Sequence, residues 1–182
     1  MHFKQCAGML YIQKSVGPRW VCWVHHSDGV SHCQECLMLD GCLFLESKAP
    51  QCPHHPSCHC TLDPIDYAIV QRIASADSDY SKFDPYLFNT QGKYTHSKEK
   101  LFASWGYFVE DARWLQAEME RQAREKYLMG DYKLGRLDQW GQHINIRVEI
   151  PKRNGIGNVS FTTGWMVCPD GQIKLNTPYG GK

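Results

Sequence analysis

The chain has 182 residues, 42% of them hydrophobic, with 20 basic against 19 acidic side chains. That allows one ordinary domain or two small ones, and it excludes the global basicity that marks a nucleic-acid or anionic-membrane binder. No stretch approaches the ~20 consecutive apolar residues of a membrane span, and MHFKQCAGML lacks the basic and apolar blocks of a secretory signal, so a soluble protein is expected, with no membrane partner.

In chain order, MLYIQKSVGPRWVCWVHH has two apolar-alternating runs around Val16-Gly17-Pro18, which predicts a β-hairpin with Trp20, Cys22 and Val24 on one face. TLDPIDYAIVQRIASADSDYSKFDP reads as a linker in which Asp63-Pro64 opens a short helical stretch and the remainder is loop. SKEKLFASWGY predicts a short helix with Ser97 near its start and Gly106 near its end. In EDARWLQAEMERQAREKYLMG, Leu115, Met119 and Ala123 recur every four residues, Glu120 can pair with Arg124 one turn on, and Gly130 can supply a C-cap. The period then changes. Ile144, Ile146, Val148 and Ile150 alternate with His143, Asn145, Arg147 and Glu149, as in a strand with one buried face. Turns at Asn154-Gly155 and Pro169-Asp170-Gly171 separate it from strands in NVSFTTGWMV and QIKLNT.

The expected fold is α+β: a small metal-stabilised N-terminal module over residues 1–64, a linker over 65–84, and over 85–182 helices followed by a three- to four-stranded antiparallel meander. The boundary rests on the clustering of cysteines before Thr61; charge is uneven too, with five Lys/Arg against eight Asp/Glu over residues 1–81 and seven against three over residues 133–182, so the C-terminal piece is mildly cationic.

Eight of the nine cysteines precede Thr61. An odd count with close paired spacing and no signal argues for reduced thiols and a metal rather than disulfides, which fits a bacterial cytoplasm or a phage lifecycle. Zinc takes four soft or borderline donors in a tetrahedron, and a two-residue spacer lets one turn aim both cysteines at one ion. Cys33-x-x-Cys36 is one half-site. The other half is Cys58 with Cys60, or His55 with either, and Cys33, Cys36, Cys58 and Cys60 form the favoured set with His55 as substitute. The alternatives are buried free thiols, or disulfides drawing in Cys42 and Cys52. A catalytic zinc would need an open position and a base, for which Glu35 is the nearest candidate; a four-thiolate site is closed and structural.

HCQECLMLDGCLF followed by PQCPHHPSCHCTLDP resembles the C-terminal metal-binding segment of phage Mu F-like head morphogenesis proteins, with a C-x-x-C, the Leu39-Asp40-Gly41 turn, and a His-Pro-x-Cys-x-Cys in which His59 replaces the usual arginine. The long helical region that precedes this segment in head proteins is missing, so a capsid-assembly role is not carried over. Residues 83–179 resemble a domain of unknown function at the C-termini of bacterial polymorphic toxins, through Tyr86-Leu87-Phe88, Ser97-Lys98 with Phe102, Arg153-Asn154-Gly155, Trp165 and Leu175 to Tyr179. Pro178 and Gly180 depart from that family's usual ending.

The resemblance implies kinship in fold with small barnase, EndoU, colicin and RelE-like ribonucleases, an analogy that does not by itself assign chemistry. Metal-independent RNA cleavage needs a base, an acid and groups that hold the phosphorane charge. His96 and His143 suit proton transfer. Lys98 and Arg147 suit phosphate binding, and Thr163, Thr177 and Tyr179 can donate further. The expected partners are RNA and an immunity or phage protein. The competing expectation is a non-enzymatic zinc protein that binds a partner through aromatic residues.

Overall fold

The computed structural model describes residues 17–26 and 33–180. The first arm of the expected hairpin lies outside the described residues. Its second arm is β1 (Trp20–Val24), which pairs antiparallel with β2 (Leu43–Leu45) on one side and β3 (Thr61–Ile65) on the other. Trp20, Val21, Cys22 and Trp23 are all buried, so this central strand is covered on both faces instead of one, and Trp23 joins the interior beside the expected pattern of Trp20 and Cys22. Between β1 and β2, α1 (Gln34–Leu39) is one short helix with Cys33 at its N-cap.

Residues 65–84, expected as a linker, carry ordered elements. Asp66 caps α2 (Tyr67–Ile73) by accepting from the Ala68 amide at 2.8 Å, and β4 (Ser75–Asp77) pairs parallel with the last strand. After single tight turns at Tyr80–Lys82 and Phe83–Leu87 come α3 (Lys98–Ser104) and α4 (Ala112–Met129). Ser97 precedes α3 and Gly130 ends α4 in the left-handed region at φ 70°. Leu115, Met119 and Ala123 form the buried stripe of α4. The Glu120–Arg124 pair does not form: Glu120 accepts from Ser78 and Gln116, while Arg124 donates to the carbonyls of Ala74 and Gln71 at 2.8 and 2.7 Å and so tethers the end of α2.

Strands β5 (Lys133–Asp138), β6 (Gly141–Pro151), β7 (Asn158–Val167) and β8 (Gln172–Thr177) make the antiparallel meander, and β4 extends it to a sheet of order β4-β8-β7-β6-β5. The architecture is α+β. Ile144, Ile146, Val148 and Ile150 are buried, and α4 packs on their face, where Gln122 exchanges two hydrogen bonds with the Glu149 backbone at 2.6 and 2.9 Å.

One apolar core runs through both halves of the chain. The Trp20 ring meets Tyr127 of α4 edge-on with centroids 5.1 Å apart, and the Tyr127 hydroxyl donates to the Leu43 carbonyl. Gly130 is required here by its positive φ, and a Cβ would lie 2.3 Å from Leu45 Cδ2, so that side-chain end would have to turn away. The turn Leu39-Asp40-Gly41 is fastened to the far hairpin by the Asp170 amide, which donates to the Gly41 carbonyl at 3.1 Å. The front of the chain is therefore built onto the end of the large sheet and shares its interior.

Candidate functional site

The cysteine and histidine donors converge from three chain segments. The α1 N-terminus supplies Cys33 and Cys36, a turn closed by the Cys58 amide donating to the His55 carbonyl at 2.9 Å supplies His55 and Cys58, and Cys60 stands at the threshold of β3. The donor atoms of Cys33, Cys36 and His55 lie within 4.8 Å of one another, as do those of Cys36, Cys58 and Cys60. Cys36 is common to both groups. Its sulfur is 3.5 Å from His55 Nε2 and 3.7 Å from Cys58 Sγ. Sulfur at ~2.3 Å and nitrogen at about 2.05 Å around a tetrahedral ion are roughly 3.6 Å apart, and two such sulfurs roughly 3.8 Å apart, so these separations fit donors that share one ion.

Burial and the mutual proximity of the thiols shift their ionisation. Burial, then the neighbouring thiols Cys58 and Cys60, push Cys36 far up, and burial with Cys58 pushes Cys60 up. Burial also acts on Cys58, but the backbone amides of His54 and Cys60 and the flanking thiols outweigh it and bring Cys58 down to about 7. The indole N–H of Trp23 is buried without a conventional partner among the described residues and acts on the Cys60 sulfur, partly offsetting the upward push. Around this set, His54 Nε2 and Glu35 Oε2 are 2.7 Å apart. Glu35, the candidate base of a catalytic metal, is thus engaged by His54. Cys42 and Cys52, along with the five donors, are free thiols rather than disulfide partners. The Cys52 thiol donates to the Cys60 carbonyl at 3.2 Å.

The residues proposed for RNA chemistry divide between the two faces of the large sheet. On the face covered by the helices, His96 and Lys98 meet at the start of α3. Lys98 Nζ donates to the Tyr86 hydroxyl at 2.8 Å and lies 4.6 Å from that ring's centroid, while the His96 ring stands edge-on to Tyr86 at 4.9 Å and stacks on Tyr94 at 5.5 Å, tilted by 5°. His96 Nδ1 has two neighbours, Glu99 Oε2 at 3.5 Å and the Lys98 amide at 3.4 Å. The carboxylate needs a proton on Nδ1 and the amide needs a lone pair. The amide contact has hydrogen-bond geometry and uses the Nδ1 lone pair, whereas the carboxylate stands at a charge-contact distance without a hydrogen bond. His96 Nε2 and Glu99 Oε2 are both buried with no hydrogen bond among the described residues.

His143 and Arg147 point to the opposite face with Asn145, as their alternation predicts. His143 uses both ring nitrogens, Nε2 3.2 Å from Asp138 Oδ2 and Nδ1 3.1 Å from Asn176 Nδ2, and Arg147 binds the Ser160 hydroxyl on β7. Thr163 is fully buried: its hydroxyl donates to the Ile146 carbonyl at 2.9 Å and accepts from the Trp165 indole at 2.7 Å. Thr177 donates to the Tyr179 carbonyl, and the Tyr179 ring packs against Phe161, Phe102 and Trp105. Those three side chains stitch the fold. Sequence reasoning gave no chemical role to Tyr86, known there only as a motif residue, or to Tyr94 and Glu99; the i, i+3 spacing of His96 and Glu99 was a usable signal, whereas the approach of Tyr86 from a preceding turn was not.

No curated protein and no solved structure matches the chain. A domain of unknown function, DUF6883, matches residues 70–182, from within α2 through the whole five-stranded sheet. The cysteine cluster precedes that match, and the His96–Lys98 cluster lies inside it. With more than half of its length accounted for in this way, the chain belongs to the DUF6883 family.

Proposed function

We propose that this protein is a zinc-stapled, toxin-like member of its family that cleaves RNA without using the metal in catalysis. The observation that carries the reading is the meeting of His96 and Lys98 on one tyrosine, with the imidazole Nε2 buried and making no hydrogen bond among the described residues. Base, cation and hydroxyl at one place are the groups that transesterification of a phosphodiester requires. His143, Arg147, Thr163, Thr177 and Tyr179 have no part in this version of the site.

Zinc suits the donor set of Cys33, Cys36, His55, Cys58 and Cys60, from which four would hold it. When bound in a closed sulfur-rich shell it supplies folding energy. Cys33 and Cys36 would hold α1, and Cys58 with Cys60 or His55 would hold the turn before β3. RNA is the substrate class on this reading, and a bacterial immunity or phage protein the partner. No helix among the described residues is long and apolar enough to cross a membrane.

The test is incubation of the purified protein with tRNA and total RNA, with and without chelator, at a temperature where both forms stay folded. Cleavage that survives chelation and falls in His96→Ala and Lys98→Ala supports the reading; no cleavage by the wild type overturns it. A second reading, a non-enzymatic partner-binding protein, is favoured by Trp140 and Ile156, 67% and 100% exposed at hairpin turns. It requires undiminished partner capture by the His96→Ala, Lys98→Ala double variant.

A further inference from the structure

Resting on the reading that RNA is cleaved at His96, we infer that Tyr86 and Glu99 complete the site, Tyr86 as the proton donor to the leaving oxygen and Glu99 as the positioning residue behind the imidazole. Neither was among the residues that the sequence singled out for chemistry. The argument starts from which protons are already committed.

Glu99 lies one helical turn beyond His96 with its Oε2 3.5 Å from Nδ1. On the proposed site this carboxylate closes the remaining gap and takes the Nδ1 proton in place of the Lys98 amide contact at 3.4 Å, which leaves the Nε2 lone pair as the basic atom, the arrangement by which a carboxylate sets a histidine tautomer in many hydrolytic sites. Of the five buried side-chain polar atoms that make no hydrogen bond among the described residues, two, His96 Nε2 and Glu99 Oε2, belong to this one pair, and partnerless buried polar atoms are rare enough to call for a cause. On the other side, Lys98 Nζ donates to the Tyr86 oxygen at 2.8 Å. An ammonium has only donors, so the phenol oxygen accepts and its own proton is free to point elsewhere. The same cation stabilises the charge that grows on that oxygen as its proton leaves. Two N–H groups of Lys98 remain for phosphate oxygens.

The reaction follows from these assignments. His96 Nε2 takes the proton of the ribose 2′-hydroxyl as O2′ bonds to phosphorus. The P–O5′ bond breaks, and Tyr86 gives its proton to O5′. The products are a 2′,3′-cyclic phosphate and a 5′-hydroxyl, and a proton passed from the imidazolium to the phenolate restores both groups. Nε2 is buried and the imidazole face is stacked on Tyr94, so reaction at Nε2 requires the Tyr94 ring to move. It sits in a stretch, residues 89–97, without helix or strand, tied to Asn89 by two hydrogen bonds of 3.0 Å.

Three measurements on the full chain test this. Nitrogen-15 spectra of the imidazoles in the wild type are expected to show His96 in the Nδ1–H form, shifting toward the Nε2–H form in Glu99→Ala. A wild-type Nε2–H ring overturns the role of Glu99. Titration with inorganic phosphate is expected to move the His96 ring signals in the wild type and to do so more weakly in Lys98→Ala; unmoved signals overturn the phosphate site. In cleavage assays, Tyr86→Phe is expected to lower kcat by about 100-fold or more with little change in KM, as loss of a general acid does. Wild-type cleavage with an unaffected Tyr86→Phe overturns the inference and leaves the ribonuclease reading standing. A wild type that cleaves no RNA removes that reading and the step assigned to Tyr86 with it, and the spectra and titration alone then decide whether Glu99 and Lys98 build an anion site.

Discussion

The sharpest structural consequence is that the front of the chain cannot be loosened without loosening the large sheet, and Trp20→Ala probes it. Trp20 is 1% exposed, and its ring meets Tyr127 at a centroid distance of 5.1 Å. Truncating a buried aromatic of this size costs about 3–5 kcal/mol, and the edge-to-face pair accounts for about 0.5–1.5 kcal/mol of coupling beyond area. For a chain of this length each kcal/mol moves the melting temperature by roughly 2–4 °C, so a loss of about 4 kcal/mol corresponds to roughly 8–16 °C. Denaturation of wild type, Trp20→Ala, Tyr127→Leu and the double variant, followed by far-ultraviolet circular dichroism, gives both the loss and the coupling. A single transition displaced as a whole is expected, with a coupling near 1 kcal/mol. Two transitions, of which only the smaller moves, would refute the shared core.

Three further outcomes follow from particular contacts. Thr163→Val leaves the buried Trp165 indole N–H without its acceptor and is expected to cost about 1–3 kcal/mol while any RNA cleavage per folded molecule stays unchanged; a lost activity with intact stability would return Thr163 to the site. Glu118 is held below the usual glutamate range by the Arg121 guanidinium, against the opposing effect of burial and with help from Gln122. Its lowered value means that the ionised form stabilises the fold at neutral pH and that this contribution fades as pH falls below about 4.3. Urea midpoints of wild type and Glu118→Gln should therefore differ at pH 7 and converge toward pH 3, and a difference that grows in acid would contradict the assignment. His143→Ala is expected to leave RNA cleavage intact, since both ring nitrogens are bonded on the face away from His96; a strong loss in a purified, folded variant would move the site to that face.

The meander was the most legible part of the fold because strand alternation and turn chemistry are local. Ile144 to Ile150 fall on one face, and Asp170-Gly171 adopts the positive φ angles, 61° and 78°, that the Pro-Asp-Gly turn suggests. The helices α3 and α4 were legible through capping and the four-residue repeat. What escaped local reading was long-range pairing. SAD at residues 75–77 carries no strand signature and becomes β4 because β8 offers it a free edge. Arg124 looks like an i, i+4 partner of Glu120, yet two carbonyls at the end of α2, 50 or more positions away, take its donors.

The two candidate sites divide in the same way. Close-spaced Cys and His ligands announce themselves, since two-residue spacers have few other uses, and all five reappear within two overlapping groups centred on Cys36. The proton-transfer candidates were picked by residue type, and type does not tell a sheet's two faces apart once helices have been added to one of them. His143 and His96 were equivalent as letters. Only the packing of Tyr86, Tyr94 and Glu99 around His96 distinguishes them.

The account rests most heavily on one ion joining the turn at Cys33–Cys36 to the turn at His55–Cys60. Metal analysis of purified protein, combined with X-ray absorption at the zinc edge, tests it directly. One zinc per chain in a four-coordinate shell of three or four sulfurs, lost in Cys36→Ser together with part of the thermal stability, is the predicted result. A fully folded wild type that binds no metal with its thiols reduced, or one whose cysteines are cross-linked to one another, would contradict it.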